Sequence, residues 1–152
     1  MSENQVSNGQ LEVLLVEDSP GDVRLTREAF REANVSIRLH VACDGVEAME
    51  FLRKEGVHAN APRPDFILLD LNLPRMDGRE VLALIKEDPL LKSIPTVILT
   101  TSEAEADIVK SYQLQANSYL SKPVQLDEFV GLVRSISEFW LTKVKLPQPQ
   151  KS

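Results

Sequence analysis

Short strand-like runs recur along the chain at residues 11–16, 37–42, 65–69, 96–99 and 117–120, and most of them end in an acid, a hydroxyl or an amine. Most lack the clean in-out alternation of a half-buried strand, so the pattern predicts strands covered on both faces. Helical spacing fills the gaps between them. Val23, Phe30 and Ala33 share one pattern over residues 20–33, Ala48, Met49 and Leu52 a second over 45–55, and Val81, Leu84 and Ile85 a third over 78–87. Asp44 with Glu47, and Ser102 with Glu105, stand at capping-box spacing. The clearest helix comes last, with Leu126, Phe129, Val133, Ile136 and Trp140 along one side. Strands alternating with helices predict an α/β fold, a parallel sheet with helices on both faces. Right-handed crossovers then carry the C-terminal end of every strand to one edge, where such sheets bind ligands near the switch in strand order.

The chain has 152 residues, enough for one domain with a substantial core. Its net charge of −6 makes nucleic acid a poor partner and favours a divalent cation or a basic protein surface. The single cysteine, Cys43, excludes an intrachain disulfide and suits a reducing cytoplasm. Because it follows an apolar run, Cys43 is expected to be a buried small thiol. Residues 1–10 are polar, carry no signal peptide pattern and are expected to be disordered. The apolar runs are too short to span a bilayer. The domain is expected over residues 11–141, followed by a Pro- and Gln-rich tail over 142–152 and no output domain.

The strand ends carry the chemistry. The first offers Glu17 and Asp18, the third Asp70 and then Asn72, the fourth Thr100, and the fifth Lys122. Three carboxylates on one edge need a counter-charge, or their repulsion raises pKa values and weakens the fold. Oxygen donors without His or Cys suit a hard cation, hence Mg²⁺. Asp18 and Asp70 are the expected direct ligands, with the Asn72 backbone carbonyl as a third and Glu17 acting through water. Such a site suits phosphoryl transfer to the Asp70 carboxylate, with the Lys122 ammonium and Thr100 hydroxyl bonding phosphoryl oxygens.

Leu14-Leu15-Val16-Glu17-Asp18, Leu68-Leu69-Asp70-Leu71-Asn72-Leu73-Pro74, Asp77-Gly78, Leu99-Thr100-Thr101 and Ser121-Lys122-Pro123 together resemble the receiver domain of two-component response regulators. The resemblance implies a flavodoxin-like (βα)5 doubly wound sheet with strand order 2-1-3-4-5. It makes Asp70 the phosphoacceptor served by a histidine kinase, Glu17 and Asp18 the acid pair, Thr100 and Tyr119 the switch pair, and the Lys122–Pro123 bond cis. The protein would then be a signalling protein rather than an enzyme, assisting its own phosphorylation and dephosphorylation. Thr101 departs from the Ala, Gly or Ser that many receivers carry there. The stretch from Gly56 to Pro64 and the ending Glu138-Phe139-Trp140-Leu141 with Leu146-Pro147 resemble, more narrowly, stand-alone regulators that partner phytochromes. The last helix and the tail also suit a homodimer.

Taken singly, each residue has a plainer reading. Glu17-Asp18 can be turn chemistry, Asp70 and Asn72 turn residues, Lys122 a surface lysine, Thr100 a β-former, and Tyr119 half-buried core. Their joint position on one edge is what favours function. An aspartate-nucleophile phosphatase would want a second acid where Asn72 stands. A flavodoxin-type cofactor binder would want a Ser/Thr/Gly-rich loop where Glu17-Asp18 stand. A receiver that only scaffolds, without phosphate turnover, is the remaining alternative.

Overall fold

The structure, a computed structural model, describes residues 10–100, 118–121 and 125–145, and not the side chains of residues 100, 118–121, 136, 137 and 139–145. Among the described residues, five strands form one parallel sheet: β1 (Leu11–Val16), β2 (Ile37–Ala42), β3 (Phe66–Asp70), β4 (Thr96–Thr100) and β5 (Ser118–Ser121). Their order is β2-β1-β3-β4-β5, as expected. The helices are α1 (Pro20–Glu32), α2 (Gly45–Arg53), α3 (Gly78–Glu87) and α4 (Leu126–Lys145). The helix expected between β4 and β5, with its Ser102–Glu105 cap, lies outside the described residues.

The runs of β1, β3 and β4 lack alternation because the sheet is buried on both faces. Leu14, Val16, Ile67, Leu69 and Ile98 join one core with Ala48, Met49, Val81 and Ile85 of α2 and α3. Val13, Leu15, Phe66, Leu68, Val97 and Leu99 join a second core with Ala29, Phe30, Phe129 and Val133 of α1 and α4. Central Leu15 sits opposite Val41 on one side and Leu68 on the other. The Phe129 and Val133 part of the expected stripe on the last helix is thus core, while the side chains of Ile136 and Trp140 lie outside the description.

Local chemistry sets the helix ends. Ser19 caps α1, its Oγ accepting the Asp22 N–H at 3.3 Å, and Pro20 follows at the first helical position. Asp44 caps α2, Oδ1 accepting the Glu47 N–H at 2.8 Å, but the Glu47 carboxylate reaches past the cap to the Cys43 N–H at 2.9 Å. That helix ends at Arg53, with Lys54 in the left-handed region at φ 58°, shorter than the apolar spacing predicted. Asp77 and Glu80 form a full capping box on α3. Asp88 ends that helix in extended backbone, as Pro89 requires of the residue before it.

Cys43 is exposed, contrary to expectation. It follows Ala42, the last residue of the edge strand β2 and the only fully buried one in it. One step further, at the bend into α2, no layer covers the side chain.

At the other end of β1 and β3, Asp65 and Glu12 pair reciprocally. The Asp65 N–H donates to the Glu12 carbonyl at 2.6 Å, and the Glu12 N–H to Asp65 Oδ2 at 2.7 Å. The Glu12 carboxylate in turn pairs with His40 at 2.7 Å and Arg38 at 3.3 Å. Burial pushes the Asp65 carboxyl above its ordinary 3.8; the Glu12 N–H lowers it, the Glu12 charge raises it, and Arg63 lowers it. An acid raised in the folded state costs stability once ionised, and that cost disappears as the pH falls below the unfolded value. Asp65→Asn keeps an acceptor for the Glu12 N–H and removes the charge. We expect it to raise the melting temperature at pH 7 by on the order of a degree, solvent screening keeping the effect small. Melts at successively lower pH should show the gain shrinking as 3.8 is approached; a gain independent of pH would contradict this origin.

Candidate functional site

Parallel strands place their C-terminal ends together, and the acids expected there converge. The ladder continues past the end of β1, with the Glu17 N–H donating to the Ala42 carbonyl at 2.9 Å. This holds Glu17 on the sheet as a residue only 1% exposed, and its Oε2 accepts the Ser19 N–H at 3.2 Å. Asp18, the next residue, is exposed. On the neighbouring strand, Asp70 closes β3 and is 4% exposed. One carboxylate oxygen from each of Glu17, Asp18 and Asp70 lies within 4.8 Å of the others. Two buried acids and one exposed acid make a cluster open to solvent on one side.

This donor set fits a small hard cation: all ligands are oxygen, several are charged, and they come from two adjacent strands. Asn72, the further ligand expected through its carbonyl, follows on the loop. Its N–H donates to Asp70 Oδ1 at 3.0 Å, which fixes the carboxylate and the loop together.

Of the remaining expected residues, the sheet register carries Thr100 to the same edge. Asp70 pairs with Leu99, so Thr100 stands one residue beyond it on β4, opposite Ser121 at the end of β5. Tyr119 pairs with Ile98, below that edge. The side chains of Thr100 and Tyr119, together with Lys122, the Lys122–Pro123 bond and Thr101, lie outside the described residues.

The loop over residues 72–77 is held at both ends by contacts that sequence reading missed. At its start the Leu71 N–H donates to the Leu99 carbonyl at 3.1 Å, and the Gly78 N–H closes the loop onto the Leu71 carbonyl at 3.0 Å. Arg75, at φ 66°, reaches Asp44 Oδ2 at 3.2 Å and ties the loop to the α2 cap. A Cβ on Gly45 would lie 2.3 Å from the Met76 carbonyl oxygen, and one on Gly78 2.3 Å from the Asp70 carbonyl oxygen. Asp77-x-x-Glu80 spacing could have announced the α3 cap. Nothing in the local sequence announces the Asp44–Arg75 pair or the packing of the two glycines, because the partners are distant in the chain.

The Response regulator receiver domain profile matches residues 13–134. The chain belongs to the response regulator receiver family. Response regulator Rcp1 of Synechocystis sp. is 49% identical over 141 residues, covering 93% of this chain and 96% of that protein. Among solved structures, the phosphorylated cyanobacterial phytochrome response regulator RcpA superposes with a TM-score of 0.78 at 51% identity, covering 88% of this receiver and 96% of that chain. The Mn²⁺-bound form of Rcp1 superposes with a TM-score of 0.77 at 49% identity, covering 86% of this receiver and 94% of that chain. The fold and the narrower likeness to phytochrome-associated regulators both agree with the sequence reading. Among the described residues, no helix of the receiver is long and apolar enough to cross a membrane.

Proposed function

We propose that this receiver works as a stand-alone, cytoplasmic response regulator that accepts a phosphoryl group on Asp70 from a histidine kinase, a phytochrome in the first instance. An Asp70 oxygen bonds to phosphorus as the bond from phosphorus to the donor breaks, leaving an aspartyl phosphate. Asp18, Asp70 and the Asn72 carbonyl are the residues to hold Mg²⁺, with Glu17 acting through water. The bound cation supplies positive charge against that of the transferred group. Thr100 and Lys122 complete the site as hydroxyl and ammonium donors to phosphoryl oxygens. The observation that carries this reading is the meeting of the Glu17, Asp18 and Asp70 carboxylates at the C-terminal edge of the sheet. The similarity to phytochrome response regulators over most of the chain supports the choice of partner.

The test is incubation with acetyl phosphate, with Mg²⁺ and then with EDTA, followed on a phosphate-affinity gel. Uptake should require the cation. If neither acetyl phosphate nor a kinase donor labels the protein and beryllofluoride does not bind, the receiver acts as a phosphate-independent scaffold.

Signalling then runs through association. A phosphoryl group brings roughly 1.5 to 2 negative charges to the edge, draws Thr100 toward it and lets Tyr119 turn inward. Reversing a 1:99 conformational ratio takes about 5.5 kcal/mol of differential stabilisation, a scale that several charge-assisted contacts can reach. Tyr119→Ala is expected to take up phosphate at near the wild-type rate and to lose phosphate-dependent association. Light scattering with and without beryllofluoride reads this, and intact switching in the variant would refute the coupling. A homodimer through α4 and the tail is the association we propose, and removing residues 143–152 should then lower the solution mass.

A further inference from the structure

The edge opposite the phosphoacceptor, where helices end and strands begin, contains a cavity of about 380 Å³. Its walls come from the end of α2, the residues before β3 and the turn after α3. Leu52, Pro64 and Leu91 form a buried apolar floor, and Leu90, 76% exposed, extends it outward. The rim is cationic, with Arg53, Lys54 and Arg63.

These cations differ in what they already do. The Arg63 guanidinium is a strut, donating to the Leu90 carbonyl and, at 3.1 Å, to Ser93 Oγ, so it braces two walls of the cavity. Arg53 and Lys54 have no side-chain hydrogen bond or ion pair among the described residues. They stand at the C-terminus of α2, but a helix end offers only about half a negative charge, too little for two cations. The one acid in the lining, Asp88, is engaged by the Leu90 N–H at 2.8 Å. A chain of net charge −6 therefore presents a positive rim over an apolar floor here. The volume is within the range of small-molecule sites, roughly 300–1,000 Å³.

We propose that this cavity is a binding site for a small amphipathic anion, an organic carboxylate or sulfonate whose apolar body rests on Leu52, Pro64 and Leu91 while its charge meets Arg53 and Lys54. The site is separate from the acid cluster, and its occupancy does not depend on phosphoryl chemistry at Asp70.

The full chain is titrated with naphthoate and, separately, with neutral naphthalenemethanol, and backbone amide shifts are followed by NMR. Saturable shifts should centre on Leu52, Arg53, Lys54 and Leu91, with naphthoate binding about tenfold more tightly than the alcohol, as two surface ion pairs would allow. Salt should narrow that gap, and Arg53→Gln with Lys54→Gln should close it without changing the thermal melt. Equal affinity for the two probes, a gap that survives both substitutions, or shifts that are absent or centred elsewhere would each overturn the assignment.

Discussion

Asp70→Asn is expected to bring phosphoryl uptake from acetyl phosphate or a kinase donor down to background while the protein remains folded. The substitution replaces a carboxylate with an amide, which does not attack phosphorus, at nearly constant volume. The amide oxygen still accepts the Asn72 N–H that now meets Asp70 Oδ1 at 3.0 Å, so the loop keeps its anchor. Glu17 and Asp18 lose a like-charged neighbour from a cluster whose oxygens lie within 4.8 Å, which favours the folded state. Stability should therefore be held or raised, and affinity for Mg²⁺ should fall with the lost charge. Gel shift reads the uptake, a thermal melt the stability, and metal titration the affinity. Uptake near the wild-type rate would move the acceptor to another carboxylate, with Asp18 the first to examine. Loss of uptake together with loss of fold would leave the chemistry undecided, and beryllofluoride binding to the wild-type protein would then carry the test.

The fold and the acid cluster were legible because both depend on short-range pattern. A strand buried on two faces must be aliphatic throughout, and the first polar residues after it must sit at the edge. That logic located Glu17, Asp18 and Asp70 from their positions after β1 and in β3. It failed at Cys43 because β2 is an edge strand, and apolar neighbours in an edge strand do not imply cover for the residue that follows. It also misjudged Glu47, which bonds the Cys43 N–H rather than that of the Asp44 cap. The loop contacts were illegible for a different reason. Arg75 meets Asp44, and Gly45 meets Met76, across 31 residues of chain, and no periodicity in sequence reports such a pairing. Arg75 even argues against its own conformation, since a left-handed φ of 66° favours glycine or asparagine.

Gly78→Ala should damage the site more than its size suggests. Gly78 opens α3 and faces the end of β3. A Cβ there would lie 2.3 Å from the Asp70 carbonyl oxygen, 2.6 Å from Leu71 Cα and 3.0 Å from the Asp70 carbonyl carbon. All of these are backbone atoms, so no rotamer change relieves the collision. Either α3 withdraws from the sheet, loosening Val81, Leu82 and Ile85 in their core, or the strand end shifts and takes Asp70 with it. Overpacking of this kind costs about 1–3 kcal/mol, enough to lower the melting temperature by several degrees. A displacement of about 1 Å at a reacting group can cost on the order of a hundredfold in rate, so uptake and metal affinity should fall together. Gly45→Ala provides the contrast. Its Cβ would meet the Met76 carbonyl oxygen at 2.3 Å, Met76 Cβ at 2.7 Å and Val81 Cγ2 at 2.8 Å, none of them belonging to Asp70. It should lose comparable stability and retain more of the uptake. The comparison is made well below both melting points, with acetyl phosphate and Mg²⁺ in excess. Wild-type uptake in Gly78→Ala despite the stability loss would mean that the contact supports α3 alone and does not hold Asp70 in register with Glu17 and Asp18.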